Sequence, residues 1–196
     1  MATFIALVML AYLAGALPWS VWLGRLFSGV DVRSVADGNP GAANAYRVGG
    51  WRLGAAVLLL DFFKAFIPVA IARWLFDLPG SQLFWIALLP SVGHAFSIFL
   101  RLRGGRAIAT FFGVWSGLTL YEVPLVMGSA AIVASLTLKH DIQRTFVVPA
   151  ALITYLLLSG KPAWMLLLAL LQLLILVAKI SVFYLSSRQK SAEIRL

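Results

Sequence analysis

No cysteine occurs in the 196 residues, which removes disulfides, thiolate metal sites and cysteine nucleophiles from consideration. Acidic residues are scarce: seven Asp and Glu stand against sixteen Lys and Arg. With only two histidines, on different segments, and mostly isolated carboxylates, no metal site can be assembled and none is expected. No G-x-S-x-G serine motif is present, and no cofactor fingerprint was found. Charged residues make up 12% of the chain, about half of what soluble domains carry. No polar segment is long enough to fold by itself.

What fills the chain instead is hydrocarbon. Hydrophobic residues reach 62% and the mean hydropathy is +0.95, so the chain is expected to be an all-α integral membrane protein, with residues 1–196 forming one polytopic domain. Apolar runs at residues 2–23, 51–75, 83–100, 108–121, 123–138, 146–158 and 163–185 predict about seven transmembrane helices, the fourth to sixth of them short. Residues 1–12 contain no Lys or Arg, so the first run is expected to be a retained span and not a cleaved signal. If the N-terminus is outside, thirteen of the sixteen Lys and Arg, including Arg188, Lys190 and Arg195 of the tail, fall in inner loops or helix ends. The bias predicts N-outside, C-cytoplasmic, with the loops around residues 30–50 and 101–107 on one cytoplasmic face. The net charge of +9 is then partly topogenic, and the rest points to anionic lipid or phosphorylated substrates; no nucleic-acid partner is expected. Nothing in the sequence specifies an oligomeric state.

The longest polar stretch is VDVRSVADGNPGAANAYRVGG, residues 30–50, expected to be a loop that binds a polar ligand. Gly38, Asn39, Gly41 and Asn44 precede Arg47: glycine permits close backbone approach, asparagine donates or accepts, and arginine grips phosphate in a fork. The other loop, RLRGGRAIATFFG, sets Gly104 and Gly105 before Arg106 at the start of a helix, where converging N–H groups and the helix dipole favour an anion. Taken alone, Gly-Gly-Arg fits a tight turn with topogenic charge equally well. Asp61 and Lys64 lie three apart within a span, either as an intramembrane functional pair or as a self-neutralising one. His94 sits in the inner half of its span, twelve residues before Arg106, as a catalytic candidate or a satisfied core histidine. An enzyme made of these parts works by positioning and electrostatics.

Four segments together resemble the bacterial acyl-phosphate-dependent glycerol-3-phosphate acyltransferases. GALPWSVWLGRL resembles the family's G-S-x-P-x-S opening, and DVRSVADGNPGAANAYRVGG its D-I-R-x-x-G-S-G-N-x-G-A-T-N-x-x-R loop. DFFKA is similar to D-x-x-K-G, and GHAFSIFLRLRGGRAIATFFG to G-H-x-F-P-x-F-L-x-F-K-G-G-K-G-V-A-T. The resemblance covers roughly residues 15–113. It implies a seven-span enzyme of the bacterial cell membrane, cytoplasmic in its active face and independent of cofactors, with glycerol 3-phosphate, long-chain acyl phosphate and membrane lipid as partners. The 1-hydroxyl would attack the acyl carbonyl, releasing phosphate and lysophosphatidic acid.

By the same resemblance, the position of Asp37 together with Gly38, Asn39, Asn44, Arg47, Gly104, Gly105 and Arg106 surrounds the substrate phosphates. His94, Arg47 and Arg106 are the implied catalytic set, and Asp61 and Lys64 support it from within the membrane. Asp37 stands where the family has a serine, so a carboxylate would repel phosphate unless Arg33 or a proton neutralised it. Ala43 replaces a threonine, Arg106 a lysine, and the tail departs from the family's ending. These departures open an alternative: a relative that has lost catalysis or changed substrate and binds a phosphorylated lipid or metabolite. A small transporter built on Asp61 and Lys64 is a third possibility.

Overall fold

A computed structural model describes the backbone of residues 1–193 and the side chains of residues 1–140 and 142–184. The tail residues Arg188, Lys190 and Arg195, used above to orient the chain, therefore lie outside the described side chains. Eight helices follow one another among the described residues: α1 (Ala2–Ala16), α2 (Trp19–Ser28), α3 (Ala42–Ala70), α4 (Gly80–Ala95), α5 (Ile108–Thr119), α6 (Glu122–Thr137), α7 (Asp141–Leu158) and α8 (Ala163–Glu193). Four stretches are long and apolar enough to cross a membrane: Ala2–Ser28, Ala42–Leu75, Gly80–Leu100 and Ala163–Tyr184. The three between them are shorter, as the sequence predicts for the fourth to sixth runs. At 1.5 Å per residue, the 12-residue α5 is about 18 Å long, against a hydrocarbon core of about 30 Å.

Two predicted boundaries shift. The first apolar run is not one helix, because Leu17-Pro18 interrupts it: Pro18 has no N–H to continue the ladder, and the chain restarts at Trp19. Only part of residues 30–50 is loop. A single 3₁₀ turn at Val32–Ser34 and a second turn around Ala36–Gly38 lead into α3, so Asn44 and Arg47 sit on a short helical segment. That segment ends at Gly50, whose φ of 73° breaks the helix before the apolar run begins at Trp51. Its small size hid it: the apolar face it buries is only Ala42, Ala45 and Val48, too slight a stripe among polar residues to mark a helical period.

In lipid, helices associate by close packing and not by escape from water, so small residues mark the seams. Gly15 and Gly93 bring α1 against α4, while Gly113 and Gly117 bring α5 against α3 at the backbone of Phe62 and Phe66. Buried polar side chains are paired across the bundle: Trp115 Nε1 donates to Gln172 Oε1 (2.8 Å), and Gln172 Nε2 to Ser91 Oγ (3.1 Å), joining α5, α8 and α4. A small separate cluster (Val21, Val32, Ala45, Leu53, Val57, Leu100) anchors the 3₁₀ turn to α2 and α3.

A Cβ at Gly93 would fall on the Tyr12 carbonyl oxygen and 2.8 Å from the Ala16 nitrogen, both backbone atoms that cannot rotate away. Gly93→Ala is therefore expected to destabilise the fold by about 1–3 kcal/mol. A lowered thermal midpoint in detergent checks this; an unchanged midpoint refutes the close α1–α4 seam.

Candidate functional site

The break in the first span frees the Leu17 carbonyl, which has no helical donor. Lys64 of α3 reaches it: Nζ lies 2.9 Å from Leu17 O, 2.7 Å from Asp61 Oδ1 and 2.9 Å from His94 Nδ1. The ammonium thus has three neighbours and hydrogen-bonds two of them, Leu17 O and His94 Nδ1. Its contact with Asp61 is charge to charge, off the direction of a good hydrogen bond. Because an ammonium has no lone pair, His94 Nδ1 must accept, and the imidazole proton belongs on Nε2. The space around these side chains is about 10 Å³, too small for a transported solute.

His94 holds the glycine loop from behind. Its carbonyl accepts from Gly105 N–H (3.1 Å) and that of Ala95 from Gly104 N–H (3.2 Å). A Cβ at Gly105 would lie 2.6 Å from His94 Nε2 and 3.0 Å from Asn39 Oδ1, so glycine is required for this approach. Of the two readings of His94, catalytic candidate or satisfied core histidine, the geometry bears most directly on the second. Lys64 takes one ring nitrogen and the Gly105 backbone covers the other, and the ring borders neither of the two large cavities.

The two loops do meet, as their shared face predicts. Arg106 N–H donates to Asn39 Oδ1 (3.2 Å), and the Arg106 guanidinium pairs with Asp37. Asn44, buried, gathers the first loop from inside: its Nδ2 lies within 3.0–3.2 Å of Asn39 O, Asp37 Oδ1 and Val35 O. Asp37 Oδ1 also accepts from Asn39 N–H (3.1 Å), and Gly38, at φ 76°, turns the chain to allow it. Arg47 Nη1 donates to Asn44 Oδ1 (2.8 Å). The neutralising partner of Asp37 is Arg106 and not Arg33, which forks onto Asp31 together with Arg25. Arg33 above all holds the Asp31 carboxyl well below the usual carboxylate range, so that pairing persists until strongly acid pH.

Asp37 also divides the open space. On one side is a cavity of about 580 Å³ bordered by Asn39, Asn44, Arg47 and Arg106; on the other is one of about 770 Å³ bordered by Arg33, Gly38, Arg103, Gly104 and Lys179. Asp37 and Phe183 border both. The arrangement offers two adjacent places for anionic groups. Lys179 is one of the thirteen Lys and Arg that the predicted topology places in inner loops or helix ends. It is buried on α8, its Nζ 4.5 Å from the centre of the Phe96 ring, and a lysine interrupting an apolar helix was the signal that marked it. Among the described residues no three His, Asp or Glu converge as a metal would require.

Breaking a buried ion pair by removing one partner typically costs about 3–5 kcal/mol, whereas replacing both is often neutral. Lys64→Met is accordingly expected to leave Asp61 uncompensated and to lower the melting midpoint sharply, with Asp61→Leu/Lys64→Met recovering much of the loss. A double variant as unstable as the single one contradicts this account.

A family model described as glycerol-3-phosphate acyltransferase matches residues 5–186. Glycerol-3-phosphate acyltransferase 1 of Thermotoga maritima is 42% identical over 123 residues, covering 62% of this chain and 60% of that protein. A glycerol-3-phosphate acyltransferase of an Anaeromyxobacter species is 48% identical over 118 residues, covering 58% of each. The chain spans about three-fifths of the length of these curated relatives. Among solved structures, PlsY (YgiH), an integral membrane glycerol 3-phosphate acyltransferase in its glycerol 3-phosphate form, superposes with a TM-score of 0.81 at 28% identity, over 90% of this chain and 88% of that one. Its lysophosphatidic acid form gives 0.81 at 26% identity, over 90% and 87%.

Proposed function

From the premise that the chain belongs to the glycerol-3-phosphate acyltransferase family, we propose that it transfers a long-chain acyl group from acyl phosphate to the 1-hydroxyl of glycerol 3-phosphate. The observation that carries this reading is the pair of arginine-bearing cavities meeting at Asp37, whose carboxylate is paired with Arg106 of one of them. The hydroxyl oxygen attacks the acyl carbonyl carbon, the carbon–oxygen bond to phosphate breaks, and phosphate leaves with the electron pair. The carboxylates at the cavities, Asp31 and Asp37, are both held in arginine pairs, so a substrate phosphate oxygen takes the hydroxyl proton. Arg47 and Arg106 balance the charge that develops on the carbonyl oxygen and leaving phosphate. Gly38, Asn39, Asn44, Gly104 and Gly105 shape the walls around the phosphates, the Gly104 and Gly105 N–H groups being held by the Ala95 and His94 carbonyls and Asn44 by the first loop. His94, with Asp61 and Lys64 behind it, acts as a positioning group through the Gly104-Gly105 backbone.

The same reading takes residues 1–196 as one domain of the bacterial inner membrane, N-terminus outside and the two loops facing the cytoplasm, where glycerol 3-phosphate is dissolved. A wholly apolar groove of about 390 Å³ between α3 and α5 supports room for the acyl chain. Phe62, Phe63 and Phe112 line it, and Ile108, two residues after Arg106, opens it.

One observation favours the altered-relative alternative: the Asp37 carboxylate already occupies Arg106. In the enzyme reading, an incoming phosphate displaces it, because a dianion outcompetes a monoanion for the same guanidinium. Purified protein given both substrates is expected to yield lysophosphatidic acid and phosphate; no product at any acyl length overturns the proposal. Asp37→Ser is expected to lower KM for a phosphorylated substrate by about tenfold, the value of one released charge contact. Activity that appears only in Asp37→Ser identifies a site closed by its own carboxylate.

Filling the groove tests the chain's location separately. Phe112→Trp is expected to shift preference toward shorter acyl phosphates with Arg47 and Arg106 untouched, by about tenfold or more, since each buried methylene is worth about 0.8 kcal/mol. An unaltered chain-length profile removes the groove from the acyl path.

A further inference from the structure

Beside the two cavities, on the side of α2, lies a third space of about 560 Å³ that the acyl-transfer reading does not use. Arg25, Arg33, Arg101 and Arg103 border it, with the aromatic rings of Trp22 and Phe99. Its charge is uncompensated. Asp31 is the single carboxylate within reach, and both Arg25 and Arg33 are spent on it at 2.7 Å. Arg101 and Arg103 are exposed, and their guanidinium groups make no hydrogen bond or ion pair among the described residues.

The backbone is bent to keep them there. Arg101 and Leu102 are consecutive non-glycine residues in the left-handed region, at φ 52° and 63°, an arrangement that costs energy and persists only where surrounding structure enforces it. Ser97 O accepts from Leu102 N–H (2.8 Å) and Leu100 O from Arg103 N–H (3.0 Å), while Ser97 Oγ donates to Ala16 O and ties the turn to the end of α1. The result presents Arg101 and Arg103 on either side of an exposed Leu102.

The surroundings are those of a membrane surface. Trp19, Trp22 and Phe99 form an edge-to-face chain with ring centres 5.6 and 5.8 Å apart, and Leu26, Phe27 and Ile98 are exposed next to them in sequence. Aromatic rings of this kind settle at the level of lipid headgroups, and guanidinium groups beside them face headgroup phosphates. A free phosphate would use the arginines and leave the aromatic wall without a partner. We propose that this pocket binds the headgroup of an anionic phospholipid of the surrounding bilayer, with the phosphate against Arg101, Arg103 and Arg25 and the upper acyl region along Trp22 and Phe99. The pocket shares Arg33 and Arg103 with the 770 Å³ cavity, so a bound lipid lies next to the proposed substrate space without occupying it.

The inference does not depend on the acyl-transfer reading, and its test uses binding alone. The full chain in detergent is titrated with phosphatidylglycerol and with phosphatidylcholine of identical acyl chains, and bound lipid is counted by native mass spectrometry. Phosphatidylglycerol is expected to bind at least about tenfold tighter, with that preference lost in Arg101→Glu and reduced in Arg25→Gln, each basic group near a lipid surface being worth about 1 kcal/mol. The Arg101 guanidinium makes no contact that the fold depends on, and an unchanged melting midpoint establishes that the variant is folded; Arg25→Gln probes the opposite wall. Millimolar inorganic phosphate is expected to leave the lipid bound. Equal binding of the two lipids, an undiminished preference in Arg101→Glu, or displacement by inorganic phosphate, which would make this a site for the free ion, overturns the proposal.

Discussion

Backbone polar groups cannot be left bare in hydrocarbon, and the break at Leu17-Pro18 creates one at the depth of the bundle. Lys64 answers it, and in doing so becomes the knot of the fold: one ammonium joins the end of α1, the middle of α3 through Asp61, and the end of α4 through His94. Because Lys64 fixes the imidazole, His94 has a fixed tautomer and its backbone is held to accept from the Gly104-Gly105 loop. The position of Arg106 is thus set by a chain of contacts that begins at a broken helix. A buried lysine and aspartate with almost no space around them are explained by this without any ion pathway.

Much of this organisation was legible in the residues. Composition gave the membrane class, apolar runs gave the helices, and the glycine and arginine content of two polar stretches marked the loops that meet. The helix carrying Asn44 and Arg47 was not legible, because its buried apolar face is only Ala42, Ala45 and Val48 and Gly50 disguises its end as loop. The break in the first span was hidden for the opposite reason: Leu17 and Pro18 sit in a continuous apolar run, and only a tertiary partner makes the interruption tolerable. Lys179 was discounted as topogenic, since sequence does not reveal which side of a helix end a lysine faces.

Asp37 illustrates how a charge acquires its meaning from neighbours. In the sequence it is a carboxylate among phosphate-binding residues, with Arg33 the nearest cation along the chain. In three dimensions the 3₁₀ turn commits Arg33 to Asp31, and the residue that reaches Asp37 is Arg106, 69 positions away. Asn44 and the Asn39 N–H complete its shell, so the carboxylate also braces the first loop in the shape that lines the cavities. Its substitution has two consequences of opposite sign, a freed guanidinium and a loosened loop.

The balance between them is set by how much positive charge remains. Across the two cavities, Arg33, Arg47, Arg103, Arg106, Arg144 and Lys179 stand against Asp31 and Asp37 among the described residues, so the face stays cationic even with both carboxylates ionised. The cations are unevenly engaged: Arg33 is forked onto Asp31 and Arg106 onto Asp37, whereas Arg47 touches only the neutral Asn44 oxygen, and Arg103 and Lys179 have no carboxylate. A first phosphate therefore meets its least hindered cations at Arg47 in one cavity and at Lys179 and Arg103 in the other. Arg106 borders the first of these and is held by Asp37, which borders both, so that pairing must change before an anion can use the Arg106 guanidinium. A dividing ion pair makes the two spaces electrostatically dependent on each other, because drawing Arg106 toward one ligand leaves Asp37 to repel whatever approaches the other.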